Sequence, residues 1–313
     1  VVIEVSAHAI EQRRLEGIYF QALIFTNCTE DHLDYFRTFD SYRAVKKSMF
    51  RCENCKYMIV NSDDALGREI CGETDGGIYS YGIYEPCDCF AAEVKETARG
   101  IDYFINLFDN VAEISSSLMG EYNVYNSLAA ATCAAAEKIS FARIVDALCA
   151  VGQIAGRCQK TASYGGAEIY VDYAHTPDGL ERTLKSLRKI CRNKLVCVFG
   201  CGGDREREKR SIMGKISGKY ADFTIVTDDN PRFEDPAEIR AAIIEGLEAV
   251  GAEYAETGNR ETAVMQGIKM LGEGDVLVVA GKGAEEYMEI KGVRYPFSDT
   301  EVIIRSLKGC TGE

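Results

Sequence analysis

A strongly polar loop follows one of the most apolar runs of this sequence. The run FTIVT, residues 223–227, passes directly into DDNPR, residues 228–232. Asn-Pro is a good turn former, so a plain turn would explain part of this pattern. The carboxylates, the amide and the arginine would also suit a ligand that carries both an ammonium and a carboxylate group. The loop therefore predicts either a simple turn or a binding site for such a zwitterion.

Three further polar segments follow predicted strands. DYAHTPD (172–178) ends a strand and begins a helix, where Thr176 suits the N-cap and the next proline the first helical position. The free N–H groups of a helix start favour anions. GCGGDR (200–205) is not a dinucleotide fingerprint, because Arg205 stands where that motif needs its third glycine. AGKGAE (280–285) is only superficially similar to a phosphate loop, and no G-x-x-x-x-G-K-[ST] occurs in the chain.

Acidic and histidine residues near the start of the chain could hold a cation. Glu4 stands in the apolar run VVIEV (1–5), which predicts a core strand. A buried carboxylate there needs a cationic partner or a metal. His32 follows the next predicted strand, so it and Glu4 could bind Mg²⁺, which takes few protein ligands. A plain hydrogen bond between the two would explain them equally well.

Lys46 lies on the apolar side of a predicted helix. The segment SYRAVKKSMF (41–50) has an apolar face that includes Tyr42 and Phe50. Lys46 is four residues from each of them, whereas Lys47 points away. The side chain could lie along apolar surface with its amine in water. Alternatively, it could be held inward for chemistry, as a carbamate that presents oxygen ligands and negative charge.

The chain contains thirteen cysteines. Their odd number within an α/β pattern indicates reduced thiols in the cytosol. Cys52 and Cys55 form a C-x-x-C, and Cys87 and Cys89 a C-x-C. These pairs would bind zinc only if they met in space, which the sequence leaves open, and apolar packing explains most cysteines.

Length and charge limit the function further. A chain of 313 residues predicts about two domains. The net charge of −13 argues against nucleic-acid binding, which needs a basic face. No apolar stretch approaches the roughly 18 residues of a membrane span. The sequence does not determine the oligomeric state, and a monomer is expected.

Strands and helices alternate from residue 168 onward, which predicts a parallel sheet covered by helices on both faces. The first half is more mixed, and we place the domain boundary after Gly156, giving domains 1–156 and 157–313. The predicted strands are 1–5, 22–26, 56–60, 168–174, 194–200, 223–227, 252–258 and 275–281, with short β-like runs over 69–118. The predicted helices are near 7–15, 40–50, 123–139, 178–190, 206–219, 236–249, 260–271 and 299–308.

Taken in order, these motifs resemble the Mur ligases of peptidoglycan synthesis, most closely the MurE branch. The resemblance covers the whole chain. It includes EVSAHAI with Arg14, FTNCTEDHLDYF, the Lys46 segment, YNVYNSLAA, DYAHTPDGL, GCGGDREREKR, DNPRFEDP and AGKGAEEY. It implies an α/β fold with a partial central ATPase domain followed by a Rossmann-like domain that binds the incoming amino acid. By this comparison the chain begins inside the central domain and lacks its phosphate loop.

The resemblance also implies an activity. The family phosphorylates a substrate carboxylate with ATP, and an amine then attacks the acyl phosphate. Here the expected reaction adds meso-diaminopimelate to UDP-N-acetylmuramoyl-L-Ala-D-Glu in the cytoplasm, with Mg²⁺ as cofactor. The 313 residues alone are expected to be inactive, because ATP's phosphates would lack their loop of backbone N–H groups.

Matching positions imply roles for individual residues. Glu4, His32 and Lys46, the last as N6-carboxylysine, match the catalytic, magnesium-binding set. Contacts to the UDP-linked substrate match Ser6, Gln12 and Arg14. Nucleotide-side positions match Asn123, Asn126, Arg157, Asp172 and His175. Contacts to diaminopimelate match Arg205, Asp229, Asn230, Pro231, Arg232, Gly281 and Glu285.

Some features depart from the family or leave alternatives open. Ala284 stands where the family usually has histidine, which puts the packing of that loop in question. DNPR is typical of members that add diaminopimelate rather than lysine. The alternatives are a lysine-adding relative, another Mur-type amide ligase such as a folylpolyglutamate synthase, and a non-catalytic amino-acid-binding protein.

Overall fold

The computed structural model describes residues 1–29, 33–51, 53–74, 76–97 and 99–311. The chain forms two compact units and has the predicted α/β class. The first unit comprises Val1–Lys95, Gly100–Ser117 and Glu121–Val151, and the second Glu96–Arg99, Leu118–Gly120 and Gly152–Glu313. The division after Gly156 stays a prediction about the functional domains.

The first unit is built on a six-stranded sheet whose strands lie in chain order. β1 to β4 run parallel, and β5 and β6 form an antiparallel pair. The strands are β1 (Phe20–Phe25), β2 (Cys55–Asn61), β3 (Ile78–Gly82), β4 (Cys89–Thr97), β5 (Gly100–Leu107) and β6 (Asn110–Ser116). The helices are α1 (Ala7–Glu11), α2 (Leu33–Phe36), α3 (Phe39–Ser48), α4 (Ala65–Glu73), α5 (Glu121–Ala136) and α6 (Phe141–Ala150).

The predicted core strand at residues 1–5 is wrong. Residues 1–6 form neither strand nor helix, and Val1, Val2 and Glu4 are exposed. A strand exists only through hydrogen bonds to a neighbouring strand. In the first sheet, β1 lies at the edge and pairs with β2, not with residues 1–5. Without a pairing partner among the described residues, apolar composition alone does not make a strand.

The second unit contains another six-stranded sheet, in the order β11-β10-β9-β12-β8-β7. Its strands are β7 (Gln159–Tyr164), β8 (Ala167–Asp172), β9 (Leu195–Phe199), β10 (Phe223–Val226), β11 (Tyr254–Glu256) and β12 (Val276–Ala280), followed by the separate hairpin β13 (Tyr287–Ile290) and β14 (Val293–Pro296). The helices are α7 (Pro177–Ile190), α8 (Glu208–Tyr220), α9 (Pro236–Glu248), α10 (Arg260–Lys269) and α11 (Asp299–Thr311).

The predicted alternation of strands and helices is confirmed in this unit, and the strands from residue 168 onward, β8 to β12, pair in parallel as predicted. Two features were not predicted: β7, which pairs antiparallel with β8, and the hairpin. All five residues of β9 and of β12 are buried, so both faces of the sheet centre are covered. The predicted N-cap of α7 is confirmed: Thr176 Oγ1 accepts from the N–H of Gly179 at 3.2 Å.

Two further properties bear on the class of protein. None of the helices in the described ranges is long and apolar enough to cross a membrane. The described cysteines are free thiols, and several of them are buried. Cys55 lies in β2 and Cys89 in β4, while Cys52 lies outside the described residues. Among the residues that the structure describes, no three histidine, cysteine or acidic side chains are placed to hold a metal ion.

Candidate functional site

Four polar loops leave the same edge of the second sheet. They follow β8, β9, β10 and β12, which run parallel to one another. β8, β12, β9 and β10 are consecutive neighbours in the sheet. The carboxyl ends of such strands are where ligands bind in open α/β sheets. The structure thus brings together segments that are far apart in the sequence.

Asn230 is the centre of the contacts between these loops. The residue is 3% exposed. Its Oδ1 accepts from the N–H of Glu289 at 2.9 Å and from Nζ of Lys282 at 3.0 Å, and its Nδ2 donates to Oε2 of Glu285 at 2.9 Å. Its backbone carbonyl accepts from the N–H of Gly203 at 2.9 Å. Because both ends of the amide are paired, its orientation is determined.

Arg232 is held in an uncommon backbone conformation, with a φ of 50°. Its N–H donates to the carbonyl of Glu289 at 3.1 Å, and its own carbonyl accepts from the N–H of Lys291 at 2.7 Å. Its Nη1 donates to the carbonyl of Gly203 at 2.6 Å. Strain of this kind persists only where the surroundings impose it, and here the hairpin does so. The side chain is still 21% exposed, and a guanidinium has five donors, so it can also bind an anion.

Glu234 and Arg210 tie the loop after β9 to the loop after β10, and the sequence analysis did not identify them. Both Nη atoms of Arg210 donate to the Glu234 carboxylate, at 2.8 and 3.0 Å, and Oε1 also accepts from the N–H of Asp204 at 2.5 Å. The Arg210 contact holds the pKa of Glu234 below its usual value. A Cβ on Gly203 would lie 2.0 Å from the carbonyl oxygen of Pro231, so only glycine fits there. In the sequence, only their charge could have indicated Glu234 and Arg210, and many surface residues are charged.

The second arginine of the predicted set lies beside the first. Arg205 is exposed. A Cβ placed on Gly202 would be 3.0 Å from Nη1 of Arg232 and 4.0 Å from Cγ of Arg205. The side chains of both arginines therefore pass close to Gly202.

The loop after β12 supplies the negative charge. Glu285 is partly exposed, at 24% of its side chain. Gly281 has a φ of 111°, and a Cβ there would lie 2.7 Å from Oδ2 of Asp229, which is buried. Glycine at 281 thus allows this close approach of the Asp229 carboxylate. Ala284 is exposed, so its side chain contributes little to the packing of the loop.

Asp172 is turned into the protein at the end of β8. Its carboxylate accepts from the N–H of Cys158 at 2.5 Å, the N–H of Ala174 at 2.8 Å and the hydroxyl of Thr183 at 3.0 Å. Burial raises the pKa of Asp172, and these three donors oppose that effect. The carboxylate therefore fixes the conformation of the loop around it.

An aromatic stack lies next to the Asp172 carboxylate. The guanidinium of Arg157 is 4.4 Å from the ring centroid of Tyr173, and the rings of Tyr173 and His175 are 4.7 Å apart. Nδ1 of His175 lies 2.9 Å from the carbonyl oxygen of Tyr173. The arrangement offers a cationic and aromatic surface that a nucleotide base or phosphate could contact.

The other two residues predicted to lie on the nucleotide side belong to the first unit. Asn123 and Asn126 lie in the first turns of α5, and Nδ2 of Asn126 donates to Oδ1 of Asn123 at 3.1 Å. Asn123 is buried. Each set of nucleotide-side residues is thus organised inside its own unit.

The structure distinguishes the two adjacent lysines of α3. Nζ of Lys46 donates to the carbonyl of Asn27 at 2.9 Å, just beyond β1, and lies 5.0 Å from the ring centroid of Tyr42. Lys47 instead pairs with Glu73 of α4 at 2.6 Å, on the surface. Lys46 therefore points toward the polar end of the first sheet, whereas Lys47 does not.

The metal-side residues are not assembled by the described chain. The premise that Glu4 is buried is wrong, because its segment pairs with no strand, and His32 lies outside the described residues. With Glu4 in solvent and the Lys46 amine hydrogen-bonded to a carbonyl, the described residues do not form a Mg²⁺ site by themselves. The Ser6 hydroxyl caps α1, accepting from the N–H of Ala9 at 3.3 Å, and Gln12 and Arg14 are exposed.

Asp63, which the sequence analysis missed, organises the end of β2. It accepts from the N–H of Ile83 at 2.6 Å, the N–H of Glu85 at 2.7 Å and the hydroxyl of Tyr125 at 2.7 Å. Burial alone would raise the pKa of Asp63, but these donors outweigh it and hold the pKa below its usual value. Asp63 thereby fixes the loop after β3 against α5.

Comparison with known proteins supports the same family as the motifs. The Mur ligase middle domain matches residues 1–134, and the Mur ligase glutamate ligase domain matches residues 156–283. The UDP-N-acetylmuramoyl-L-alanyl-D-glutamate–2,6-diaminopimelate ligase of Syntrophomonas wolfei is 41% identical over 99% of this chain and 64% of its own length. The ligase of the same name from Aquifex aeolicus is 39% identical over 100% of this chain and 64% of its own length.

Solved structures agree with this at the level of the fold. A structure titled as the same ligase matches with a TM-score of 0.65 and 32% identity, over 98% of this chain and 64% of that one. A pseudomurein peptide ligase from Methanothermus fervidus matches with a TM-score of 0.73 at 16% identity, over 98% of this chain and 66% of that one. The chain thus spans about two thirds of the length of its relatives. With the two domain matches covering most of its residues, the chain belongs to the Mur ligase family.

Proposed function

We propose that this chain is the middle and C-terminal part of an ATP-dependent ligase that adds meso-diaminopimelate to UDP-N-acetylmuramoyl-L-alanyl-D-glutamate. The observation that carries the proposal is the loop cluster around Asn230. Its amide bonds to Glu285 directly, and Gly203 and Glu289 each bond to both Asn230 and Arg232. It offers a cation and an anion on one rigid support. The relatives named for this reaction, at about 40% identity, support the same substrate.

The chemistry of meso-diaminopimelate suits this cluster. The molecule has two amino-acid ends, so one amine can react while the other end is recognised. Arg232 and Arg205 would bind the distal carboxylate, and Glu285 the distal ammonium. Asp229, Asn230, Pro231 and Gly281 would shape the loops that hold these three side chains. Lysine lacks the distal carboxylate, so neither arginine would gain a ligand carboxylate, and Arg232 would keep its 3.7 Å ion pair with Glu289.

The remaining roles follow the family reaction. ATP phosphorylates the terminal carboxylate of the UDP-linked substrate, and the amine displaces phosphate from the acyl phosphate to form the amide. Ser6, Gln12 and Arg14 would contact the UDP-linked substrate. The nucleotide side would be formed by Asn123, Asn126, Arg157, Asp172 and His175.

The metal side is proposed on the resemblance alone. Glu4, His32 and a carbamate on Lys46 would hold Mg²⁺, whose chemistry is to neutralise phosphate charge. The carbamate forms when Nζ attacks CO₂ and releases a proton. The use of ATP and of a UDP-linked substrate places the reaction in the cytoplasm.

Binding of amino acids to the 313-residue chain tests the proposal. Charge-assisted hydrogen bonds contribute about 1.5–3 kcal/mol each, so two of them imply a preference for diaminopimelate over lysine of at least about a hundredfold. Titration calorimetry with each amino acid measures this ratio. Arg232→Lys should remove most of it, because lysine cannot reproduce the paired hydrogen bonds of a guanidinium.

Exposed Arg294→Lys is the matched control, since its guanidinium stacks on Tyr287 at 4.4 Å and lies outside the proposed contacts. It should keep the preference. Equal binding of lysine and diaminopimelate by the parent chain would favour the lysine-adding alternative. Binding of neither would remove amino-acid recognition from the role of these loops.

A further inference from the structure

Lys282 is a wholly buried lysine directly beneath the proposed amino-acid site. Its side chain is 0% exposed. Nζ donates to Oδ1 of Asn230 at 3.0 Å and to Oε2 of Glu285 at 3.0 Å, and it lies 3.8 Å from Oδ1 of Asp229. Burying an ammonium group costs free energy unless the group is paired, and these three contacts provide the pairing. Because it is not exposed, it cannot contact a ligand itself.

The two oxygens of Glu285 have different surroundings. Oε2 accepts from both Lys282 and Nδ2 of Asn230. Within the described ranges, Oε1 accepts no hydrogen bond, and the side chain is 24% exposed. Oε1 is therefore the oxygen that remains for an incoming donor.

Lys282, together with the N–H of Glu289, also determines which way Asn230 faces. Its ammonium can only donate, so the atom of Asn230 that it contacts must be the amide oxygen. Nδ2 then points to Glu285. One buried cation thus orients two side chains of the proposed site.

We propose that Lys282 is a positioning residue for amino-acid recognition. It holds Oε2 of Glu285 and leaves Oε1 for the ammonium of the ligand, and it fixes the amide of Asn230 that supports both. This rests on the proposed function, because it takes the ligand to be an amino acid that carries such an ammonium.

The substitution Lys282→Met tests the proposal, because methionine nearly retains the length but removes the charge. Diaminopimelate affinity, measured by titration calorimetry on the 313-residue chain, should fall by about 10- to 100-fold. Pimelate has both carboxylates but no ammonium, so its affinity, measured by NMR titration, should change by less than about twofold. Lys269→Met removes an exposed lysine and should change neither.

A double-mutant cycle distinguishes positioning from a general loss of structure. If Lys282 acts through Glu285, the variant with both Lys282→Met and Glu285→Gln should bind diaminopimelate no worse than the weaker single variant, within about threefold. The changes in melting temperature that the same variants cause in the ligand-free chain should also be non-additive. If Lys282→Met does not fold, adding Asp229→Asn removes the buried carboxylate that lost its cation, and the cycle is run in that background.

The outcomes separate the two proposals. Normal diaminopimelate affinity in Lys282→Met, or equal losses for diaminopimelate and pimelate, overturns the role of Lys282 and leaves the proposed function standing. A parent chain that binds diaminopimelate no better than pimelate overturns the proposed ligand. In that case the ligand-free cycle decides the role of Lys282: non-additivity supports positioning of Glu285, and additivity overturns it.

Discussion

The loops proposed to bind the amino acid, in the second unit, and the residues proposed to bind the metal, in the first, differ in how the chain holds them. In the second unit, Asn230, Arg232 and Glu285 are connected to one another or to neighbouring loops by hydrogen bonds. In the first unit, Glu4 lies exposed on a segment without a sheet partner, and Lys46 has a carbonyl as its hydrogen-bond partner.

This difference follows from the position of each residue relative to its sheet. The amino-acid loops connect buried strands to helices, so both of their ends are fixed and cross-links between them cost little further entropy. Glu4 lies in residues 1–6, which form neither strand nor helix, and it is exposed. Preorganised loops favour discrimination between ligands. In the first unit, by contrast, no three histidine, cysteine or acidic side chains of the described residues come together to hold a metal ion.

The largest loss of folding stability is expected from breaking the buried ion pair beside the loops proposed to bind the amino acid. Arg260 and Asp299 form an ion pair with both side chains 0% exposed. Arg260 also donates to the carbonyls of Ala280 at 2.9 Å and Asp228 at 3.2 Å, where the loops after β12 and β10 begin. Arg260→Met would leave a buried unpaired carboxylate and should destabilise the second unit by about 3–5 kcal/mol.

Urea unfolding measures this loss, and hydrogen–deuterium exchange should locate it in residues 223–232 and 276–286. The control is Arg305→Met, which breaks an ion pair with Glu261 whose side chains are 66% and 45% exposed. It should cost less than about 1 kcal/mol. Replacing the pair by Arg260→Met with Asp299→Leu should recover part of the stability. Similar losses for both arginines would contradict the support role of Arg260.

A smaller loss of folding stability is expected from removing the charge of Asp63, which fixes loops in the first unit. Asp63→Asn removes the charge that accepts from Ile83, Glu85 and Tyr125 and should cost about 1–3 kcal/mol at pH 7. Because the folded state lowers the pKa of Asp63, its contribution is present above the ordinary value of 3.8 and is lost as the pH falls below it. The stability difference between parent and variant should therefore narrow below about pH 4.

Urea unfolding from pH 7 down to pH 3 follows this difference. Asp102→Asn is the control, since Asp102 accepts from the Ser115 hydroxyl at 2.5 Å at a partly exposed position. It should cost less than about 1 kcal/mol. A penalty for Asp63→Asn that grows toward acid would mean that its pKa is not lowered by folding.

The smallest effect on stability is expected at Lys46, where chemistry is the informative readout. With ¹³C-labelled bicarbonate, the chain should show a carbamate carbon signal by NMR that Lys46→Ala loses and Lys47→Ala retains. Lys46→Ala should change stability by less than about 1 kcal/mol, because it removes one partly exposed hydrogen bond. A signal that survives in Lys46→Ala, or that is absent from the parent chain, would rule out this carbamate under the conditions used.

Local patterns were sufficient for much of the second unit. Alternating apolar strands and amphipathic helices predicted most of its elements, and Thr176 followed by proline predicted a helix start, because these signals depend on residues close together in the chain. The polar loops at strand ends were also visible. Their candidate ligand was suggested by residue types, since a zwitterion needs groups of both charges.

The order of elements and the chemical character of the loops could thus be predicted from local sequence patterns. Four other features became visible only in three dimensions: β7 is antiparallel, the hairpin 287–296 holds Arg232 at a positive φ, Lys282 is buried, and Glu4 is exposed. Each of these depends on which distant segment supplies a hydrogen-bond partner or covers a side chain. Such pairing is a long-range choice, and the free energy of a charged side chain depends on that choice more than on its own neighbours in sequence.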